Sequence, residues 1–363
     1  MIPLRVATFN VAFDRPAPGG LNRQLARGDH PQICRVAAII QRVRPDVILL
    51  CEFDHDGMGS DESGLDDFVR HYLAVPQEGG EPITYEHRWL IPTNTGEPLP
   101  VDLDGDGEIR PPRDCFGFGD FHGQYGMALL SRFPVERRAI RAFRHFLWRD
   151  MPHSLLPAEL AEPVRAILRL SSKNHVDIPL LIGGQRLHLL AMHPTPPIIN
   201  QLNRCRNHDE LRLFLDYLNG EPYLVDDEGN RGGVGASPFV LLGDFNADPV
   251  DGDGGRFMMQ RLLTHPRIHP GCHAAPRSAG AASLATERGR GLRGDPASWT
   301  HIRPLRLDYV LPSRECEVYG SGVFWPAVGE PGRELVVDPV AGEGKGCASD
   351  HRLVWVDIAL AVN

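Results

Sequence analysis

The sequence contains no C-x-x-C pair, and its seven cysteines are scattered and odd in number. This excludes a zinc ribbon or a thioredoxin-like site as the organising feature. Cys51 lies inside an apolar run and reads as a core thiol. No apolar run reaches the ~18 residues of a membrane-spanning helix, and no signal-peptide pattern opens the chain. As written the chain reads as cytoplasmic; a secreted protein whose leader had been removed would begin in the same way. Basic residues are in deficit too: 38 Lys and Arg stand against 47 Asp and Glu, a formal net charge of −9. That weighs against an extended, non-specific grip on nucleic acid, which needs a basic footprint. The one obvious basic cluster is Arg288, Arg290 and Arg293. No internal repeat and no dividing linker is evident, so one domain over residues 1–363 is expected, with long insertions near 92–121 and 271–297.

The stretch that organises the rest is residues 239–248, FVLLGDFNAD. Phe239 to Leu242 is a short unbroken apolar run, the pattern of a strand buried on both faces. Gly243 ends it, and Asp244 and Asn246 follow at once. A strand packed on both sides cannot shift, so polar groups at its end are held in place. An Asx-turn alone would explain the pair equally well; the remainder of the chain decides.

Residues 4–10 are strand-like and end on Asn10. Helical spacing then runs through Ile33, Val36, Ala37, Ile40 and Val43, with Asp29 as the expected cap and Pro31 in the first turn. Residues 46–51 form the next buried-type strand and end on Glu52. Strand, helix, strand in this order predicts a parallel crossover. A helix is expected over 65–72, strands over 85–91 and 124–133, and a strand over 137–146 that pairs with 124–133. Gly183-Gly184 between residues 175–182 and 185–192 is a two-residue hairpin signal, and its second strand ends on His193. A helix over 207–218 is expected to be capped within Asn207–Glu210. Arg204 and Arg206 just before it are candidates to face a phosphate. A further helix over 256–263, a mobile Gly/Ala/Arg-rich insertion over 271–297, and strands over 298–301, 305–311 and 352–359 complete the pattern.

Several apolar strands thus end on a polar residue: Asn10, Glu52, His193 and Asp244. Asp308 lies inside RLDYVL, and Asp350-His351 precedes the last strand. One such terminus is noise, whereas several argue that these ends converge. Glu52, Asp244, Asp308 and Asp350 are hard oxygen ligands suited to Mg²⁺ or Mn²⁺, and no thiolate–imidazole set for zinc accompanies them. Asn10, Asn246 and His193 can donate to phosphoryl oxygens, and an Asp308–His351 pair would fix the imidazole tautomer. These parts suit metal-assisted hydrolysis of a phosphate ester.

The ordered elements TFN (8–10), the strand ending in Glu52, QYGMALLS (124–131), the strand ending in His193, LLGDFN (241–246), RLDYV (306–310) and SDH (349–351) resemble the endonuclease/exonuclease/phosphatase superfamily. The resemblance implies a four-layer α/β/β/α sandwich of two mixed sheets packed face to face, with helices outside. It implies that Glu52 binds a divalent metal with Asn10 nearby, and that Asp244 orients or activates the attacking water; Asp350, a hard oxygen ligand, is the further metal candidate. It further implies that Asn246 contacts the phosphate, that Asp308 pairs with His351, that His193 is a phosphate-contacting histidine, and that Tyr125 matches a substrate-side tyrosine. One departure is Ala12, where one branch carries an acidic residue. Another is that no acidic orienter behind His193 is identifiable. The two insertions resemble a bacterial subgroup.

The expected activity is therefore a metal-dependent phosphodiesterase acting by in-line attack of water, on a small or lipid-derived phosphate ester. A nuclease, a phosphomonoesterase or lipid-headgroup phosphodiesterase, and a non-catalytic binding module on the same fold are the alternatives. Separately, Asp102, Asp104, Asp106 and Gly107 match the start of an EF-hand-type Ca²⁺ loop, with Arg113 at the twelfth position and Asp114 following. Asp248, Asp251 and Asp253 read as a solvated acidic turn. Of the 16 histidines, His122, His153, His175, His188 and His301 have neither a strand-end motif nor ligand spacing.

Overall fold

The computed structural model describes residues 1–273, 275–337, 344 and 347–361. Among these, eleven strands form two mixed sheets. They are β1 (Ile2–Phe13), β2 (Val47–Phe53), β3 (His87–Ile91), β4 (Met127–Ser131), β5 (Arg141–Ala142), β6 (His175–Ile182), β7 (Gln185–Met192), β8 (Phe239–Asp244), β9 (Asp308–Pro312), β10 (Glu317–Val323) and β11 (Val354–Leu360). The first sheet runs β10-β11-β1-β2-β4-β3 and the second β5-β6-β7-β8-β9. Only β1–β2 and β7–β8 pair in parallel. The crossover between β1 and β2 contains helix α1 (Pro31–Val43), as the strand-helix-strand order predicts. The hairpin of β6 and β7 also forms as expected, with Ile182 opposite Gln185.

Alternation along the second sheet builds the layers. Leu189, Ala191, Val240 and Leu242 face the first sheet and join its core. Leu190, Met192, Phe239 and Leu241 face the other way, onto helices α2 (Gln201–Asn219) and α3 (Arg256–Leu263). Both faces of β8 and of the second half of β7 are therefore covered, which is why Phe239–Leu242 and Leu189–Met192 show no polar side. The result is the four-layer sandwich, with β1 and β2 against β8 and β9 across the middle. No described helix is long and apolar enough to cross a membrane.

Several expectations are corrected. Residues 137–146 do not pair with β4, because β4 already has β2 on one side and β3 on the other. Arg137–Ala139 is a 3-10 turn, and β5 joins β6 in the second sheet. Residues 298–301 do not form a strand. Pro296–Ser298 is a 3-10 turn capped by Asp295, and His301 makes a lone bridge to His351. At the start of α1, His30 occupies the cap position without a side-chain bond, and Asp29 instead pairs with Arg27 at the surface.

Helix α2 begins at Gln201, capped by Asn200, whose side chain accepts from the Asn203 N–H. Asn207, Asp209 and Glu210 lie inside it, buried, and each is spent on another segment. Asn207 donates to the carbonyls of Thr195 and Phe245. Asp209 accepts from the Trp148 indole and the Leu155 N–H, both at 2.6 Å. Arg206, also buried, donates to the carbonyls of Leu170, Phe116 and Arg169 rather than facing a phosphate, and Arg204 is exposed.

The insertions are folded in. Glu97 holds both Arg144 and Arg169, which ties residues 92–121 to the second sheet. Within 271–297, Ala279–Ser283 and Ala285–Arg288 are short helices, and Ala281 and Leu284 enter the core. Asp248 and Asp251 are buried rather than solvated. Asp248 accepts from the Val250, Asp251 and Arg306 N–H groups, and Asp251 from those of Arg293 and Gly294.

Candidate active site

The strand directions bring the polar termini to one edge. β1 and β2 are parallel, so Asn10 and Glu52 emerge together, and β8, parallel to β7, delivers Asp244 beside His193. β9 runs antiparallel to β8 and begins there, with Asp308 opposite Asp244. β11 runs antiparallel to β1, so Asp350 and His351, just before it, return to the same edge. Gly243 sits at φ 145°, and a Cβ there would meet the Met192 carbonyl oxygen at 1.9 Å, so only glycine lets β8 lie this close to β7. Ala12, Glu52, Tyr125 and Asn246 all have φ between 51° and 57°. Left-handed non-glycine residues concentrated at strand ends are the mark of a constrained site.

At the centre the Asn10 amide donates to Glu52 Oε1 and to Asp244 Oδ2, both at 3.0 Å. Asp244 Oδ2 also faces His193 Nε2 at 3.3 Å and His351 Nε2 at 3.6 Å, while Oδ1 accepts from the Asn246 N–H. Burial opposes its charge, but His351, His193 and Asn10 outweigh burial and hold its pKa well below the usual carboxylate value. His351 Nδ1 lies 2.9 Å from Asp308 Oδ2, so the expected pair is formed. Burial opposes the charge of His351, but Asp308 and Asp244 push its pKa up to about 10. Burial pushes Asp308 up to about 6 against the pull of His351. The proton of this pair resides on the imidazole, flanked by two carboxylates. The Asn246 amide donates to the Pro194 carbonyl at 3.1 Å. Tyr125 stands at the rim, its N–H on Asp54 and its ring 6.5 Å from that of Phe118.

Three participants were not legible from the sequence. Thr300 donates to Asp308 Oδ2 at 2.7 Å and accepts from the Leu307 and Asp308 N–H groups. His301 lies against His351, ring centroids 4.5 Å apart, with Nε2 3.6 Å from Asp350 Oδ2. Lys173 is buried in the field of Glu210, Glu52 and Asp244, and burial lowers its pKa. The β6 hairpin signal placed Lys173 two residues before a strand, but nothing local aimed it at this edge.

Which groups could hold a cation follows from the protons. His301 Nδ1 accepts from the Arg303 N–H, so its Nε2 carries a hydrogen toward Asp350. Both nitrogens of His351 face carboxylates. The His301–Asp350–His351 and Asp244–Asp308–His351 groups each lie close enough together to hold a cation, and their carboxylate oxygens suit a hard divalent ion. Glu52 and Asp350 are the half-exposed ones. Both are tied to Asn10: Glu52 through the amide, and Asp350 through neighbouring Ser349, whose hydroxyl donates to the Asn10 carbonyl at 2.7 Å. Asp102, Asp104 and Asp106 form a separate cluster on the insertion. Asp114 is buried beneath it, accepting from the Leu103 and Arg110 N–H groups, and lines the same cavity as Asp104 and Asp106.

The chain matches the Endonuclease/Exonuclease/phosphatase family over residues 7–351. Among curated proteins, none matches it by sequence. It is similar to the solved structure of an endonuclease/exonuclease/phosphatase from Beutenbergia cavernae DSM 12333, with 21% identity and a TM-score of 0.52 over 99% of this chain and 72% of that one. It is also similar to the endonuclease/exonuclease/phosphatase from Bacteroides vulgatus, with 13% identity and a TM-score of 0.50 over 99% of this chain and 100% of that one. At these identities the likeness establishes the fold.

Proposed function

The chain belongs to the endonuclease/exonuclease/phosphatase family, and from that premise we propose that it is a divalent-metal-dependent phosphodiesterase acting on small or lipid-derived phosphate esters. The observation that carries the proposal is the Asn10 amide, which at 3.0 Å holds Glu52 and Asp244 together. Glu52 and Asp350 would hold Mg²⁺ or Mn²⁺ next to Asn10. Such an ion supplies Lewis-acid polarisation of a phosphoryl oxygen.

The remaining work falls to side chains of the chain itself. Asp244, kept ionised by Asn10, His193 and His351, aligns the attacking water for in-line displacement. His351, protonated between Asp308 and Asp244, and His193 donate to the phosphoryl oxygens as charge builds up on them. Asn246 has a second amide hydrogen for the same purpose, and Lys173 adds positive charge beneath the phosphate. Tyr125 and Phe118 form the aromatic rim that a diester's second substituent would meet. The Asp102–Asp104–Asp106 turn is proposed only as a weak Ca²⁺ position, remote from this chemistry.

A substrate screen tests the reading: bis-p-nitrophenyl phosphate, p-nitrophenyl phosphate, duplex and single-stranded DNA, RNA and sphingomyelin, each with Mg²⁺ or Mn²⁺ and with EDTA. Metal-dependent turnover favouring a diester over the monoester and over DNA is the expected result. Preference for the monoester, or turnover unaffected by chelation, would overturn it.

A further inference from the structure

Tyr125 at the rim holds a backbone conformation that its own residue type disfavours. Its φ is 57°, in the left-handed region, and its ring lies 6.5 Å from that of Phe118, which is 55% exposed. A bulky residue stays in that region only where the surroundings over-determine the backbone. Gly126, which follows it, has no side chain to help.

The sheet accounts for the backbone on either side of Tyr125 but not for Tyr125 itself. β2 and β4 pair antiparallel with Cys51 opposite Met127. Beyond that pair the Phe53 N–H donates to the Gly126 carbonyl and the His55 N–H to the Gly123 carbonyl, at 2.9 and 3.1 Å. The Tyr125 N–H is answered by a side chain instead. Asp54, 4% exposed and just past the end of β2, accepts it on Oδ1 at 2.9 Å, from 71 residues away. Its Oδ2 accepts the Arg15 N–H at 2.7 Å, from 39 residues in the other direction. The Arg15 guanidinium is engaged elsewhere, on Gln24, Gln32 and the Asp14 carbonyl. Asp54 thus spends both oxygens on backbone groups of two separate segments. Gln124 closes the unit: its Nε2 donates to the Arg15 carbonyl at 2.9 Å, and its Oε1 accepts the Asp120 N–H at 2.7 Å.

A buried carboxylate costs desolvation that an apolar residue in its place would not. What the carboxylate supplies is two fixed acceptors, one of which sets the conformation of Tyr125. Glu52 lies two residues earlier on the same strand end, so the metal-side carboxylate and the anchor of the rim tyrosine share one short segment. We propose that Asp54 is a positioning residue for substrate selection. By holding the Tyr125 N–H it fixes the left-handed backbone there and keeps the ring where a diester's second substituent would lie, which favours diesters over monoesters. The kinetic part of the test rests on the phosphodiesterase reading; the spectroscopic part does not.

The kinetic readout is the ratio of kcat/KM for bis-p-nitrophenyl phosphate to that for p-nitrophenyl phosphate, both with Mg²⁺. Asp54→Leu and Tyr125→Ala should each lower this ratio about 10-fold, the scale of one hydrogen bond or one aromatic contact, with the loss appearing in KM for the diester. The double variant should fall no further than Tyr125→Ala, since Asp54 acts through that ring. Losses that multiply in the double variant would overturn the proposal, as would an equal loss on both esters, the mark of a general defect. Asp54→Leu also releases Arg15 and so threatens folding. The α-hydroxy analogue of tyrosine at position 125, introduced by nonsense suppression, replaces only the N–H by an ester oxygen and leaves Asp54 on Arg15. It should lower the ratio by a similar factor, and an unchanged ratio would overturn the proposal. Independently of turnover, ¹⁹F NMR of metal-free protein labelled with 3-fluorotyrosine reads the ring directly, the Tyr125 signal being identified by its loss in Tyr125→Phe. That signal should be sharp in wild type and should shift and broaden in Asp54→Leu; a signal unmoved by Asp54→Leu would overturn the positioning role. A protein that turns over neither ester but keeps an Asp54-dependent Tyr125 signal would sustain the positioning role and overturn the functional reading instead.

Discussion

Two groups of carboxylates in this protein differ in what their oxygens are attached to. On the insertion, Asp102 accepts from the N–H groups of Gly105 and Gly107, Asp104 from Asp106, and Asp106 from Glu108, with Arg113 and Arg110 alongside. Every one of these partners lies within a dozen residues, and the group is largely open to water. At the sheet edge, Asn10 holds Glu52 from 42 residues away and Asp244 from 234 away, and His351 holds Asp308 across 43. The first cluster is what an acidic turn does with its own backbone. The second exists only because two sheets are assembled, and its Asp244, Asp308 and His351 are buried, mutually engaged and shifted in charge. A cluster of acids becomes a chemical site when long-range packing fixes it and removes water, since charge interactions strengthen as solvent is excluded.

The contrast can be broken most decisively at the sheet edge. EDTA should abolish turnover of bis-p-nitrophenyl phosphate, and Mg²⁺ or Mn²⁺ should restore it, because the available donors are oxygens. Full turnover after exhaustive chelation would remove the metal from the reading. Next in size, Asp244→Asn and His351→Ala should each lower kcat by roughly 10²-fold or more, the scale of a positioned acid–base group, with circular dichroism unchanged. A variant that retains half of wild-type kcat was assigned the wrong role.

A smaller effect concerns the basic insertion. Arg288 donates to the Ile302 carbonyl and is half-buried, whereas Arg290 and Arg293 are exposed, so only one member of this cluster is turned inward. For the small diester, kcat/KM should change by less than about twofold between roughly 50 and 200 mM NaCl, and Arg288→Ala/Arg290→Ala/Arg293→Ala should leave it there. Fast duplex-DNA cleavage with a steep salt slope that the triple variant abolishes would convert the assignment to a nuclease. The smallest effect belongs to the exposed cluster. Ca²⁺ should raise the melting temperature over EGTA by about 1 °C, as a weak native-state ligand does in a protein of this size, and Asp104→Ala should erase the rise. A gain of many degrees would show that the local turn is a strong Ca²⁺ cage.

Much of the site was visible in the chain order because strand ends are local features. Asn10, Glu52, His193, Asp244 and His351 each close or adjoin an apolar run, and parallel or antiparallel pairing of those runs delivers them to one edge. The rest is set by contacts between distant segments. The 137–146 segment had strand character but no free ladder to join, since β4 was already paired on both sides. Asn207, Asp209 and Glu210 looked like a cap because their apolar neighbours begin at Leu211. In the fold they are buried crosslinks in the middle of α2, and no hydrophobic periodicity reports a polar group that faces inward.

By itself the sequence determined the long apolar strands and the polar residues that close them, the Gly183-Gly184 hairpin and the hard-oxygen character of the site. Period, turn chemistry and ligand type are properties of neighbouring residues. Only the tertiary structure decided that Lys173, Thr300 and His301 stand at the same edge. These depend on register and on which face a strand presents. A one-residue slip would send each side chain to the opposite layer, and what prevents the slip is the packing of two sheets against each other.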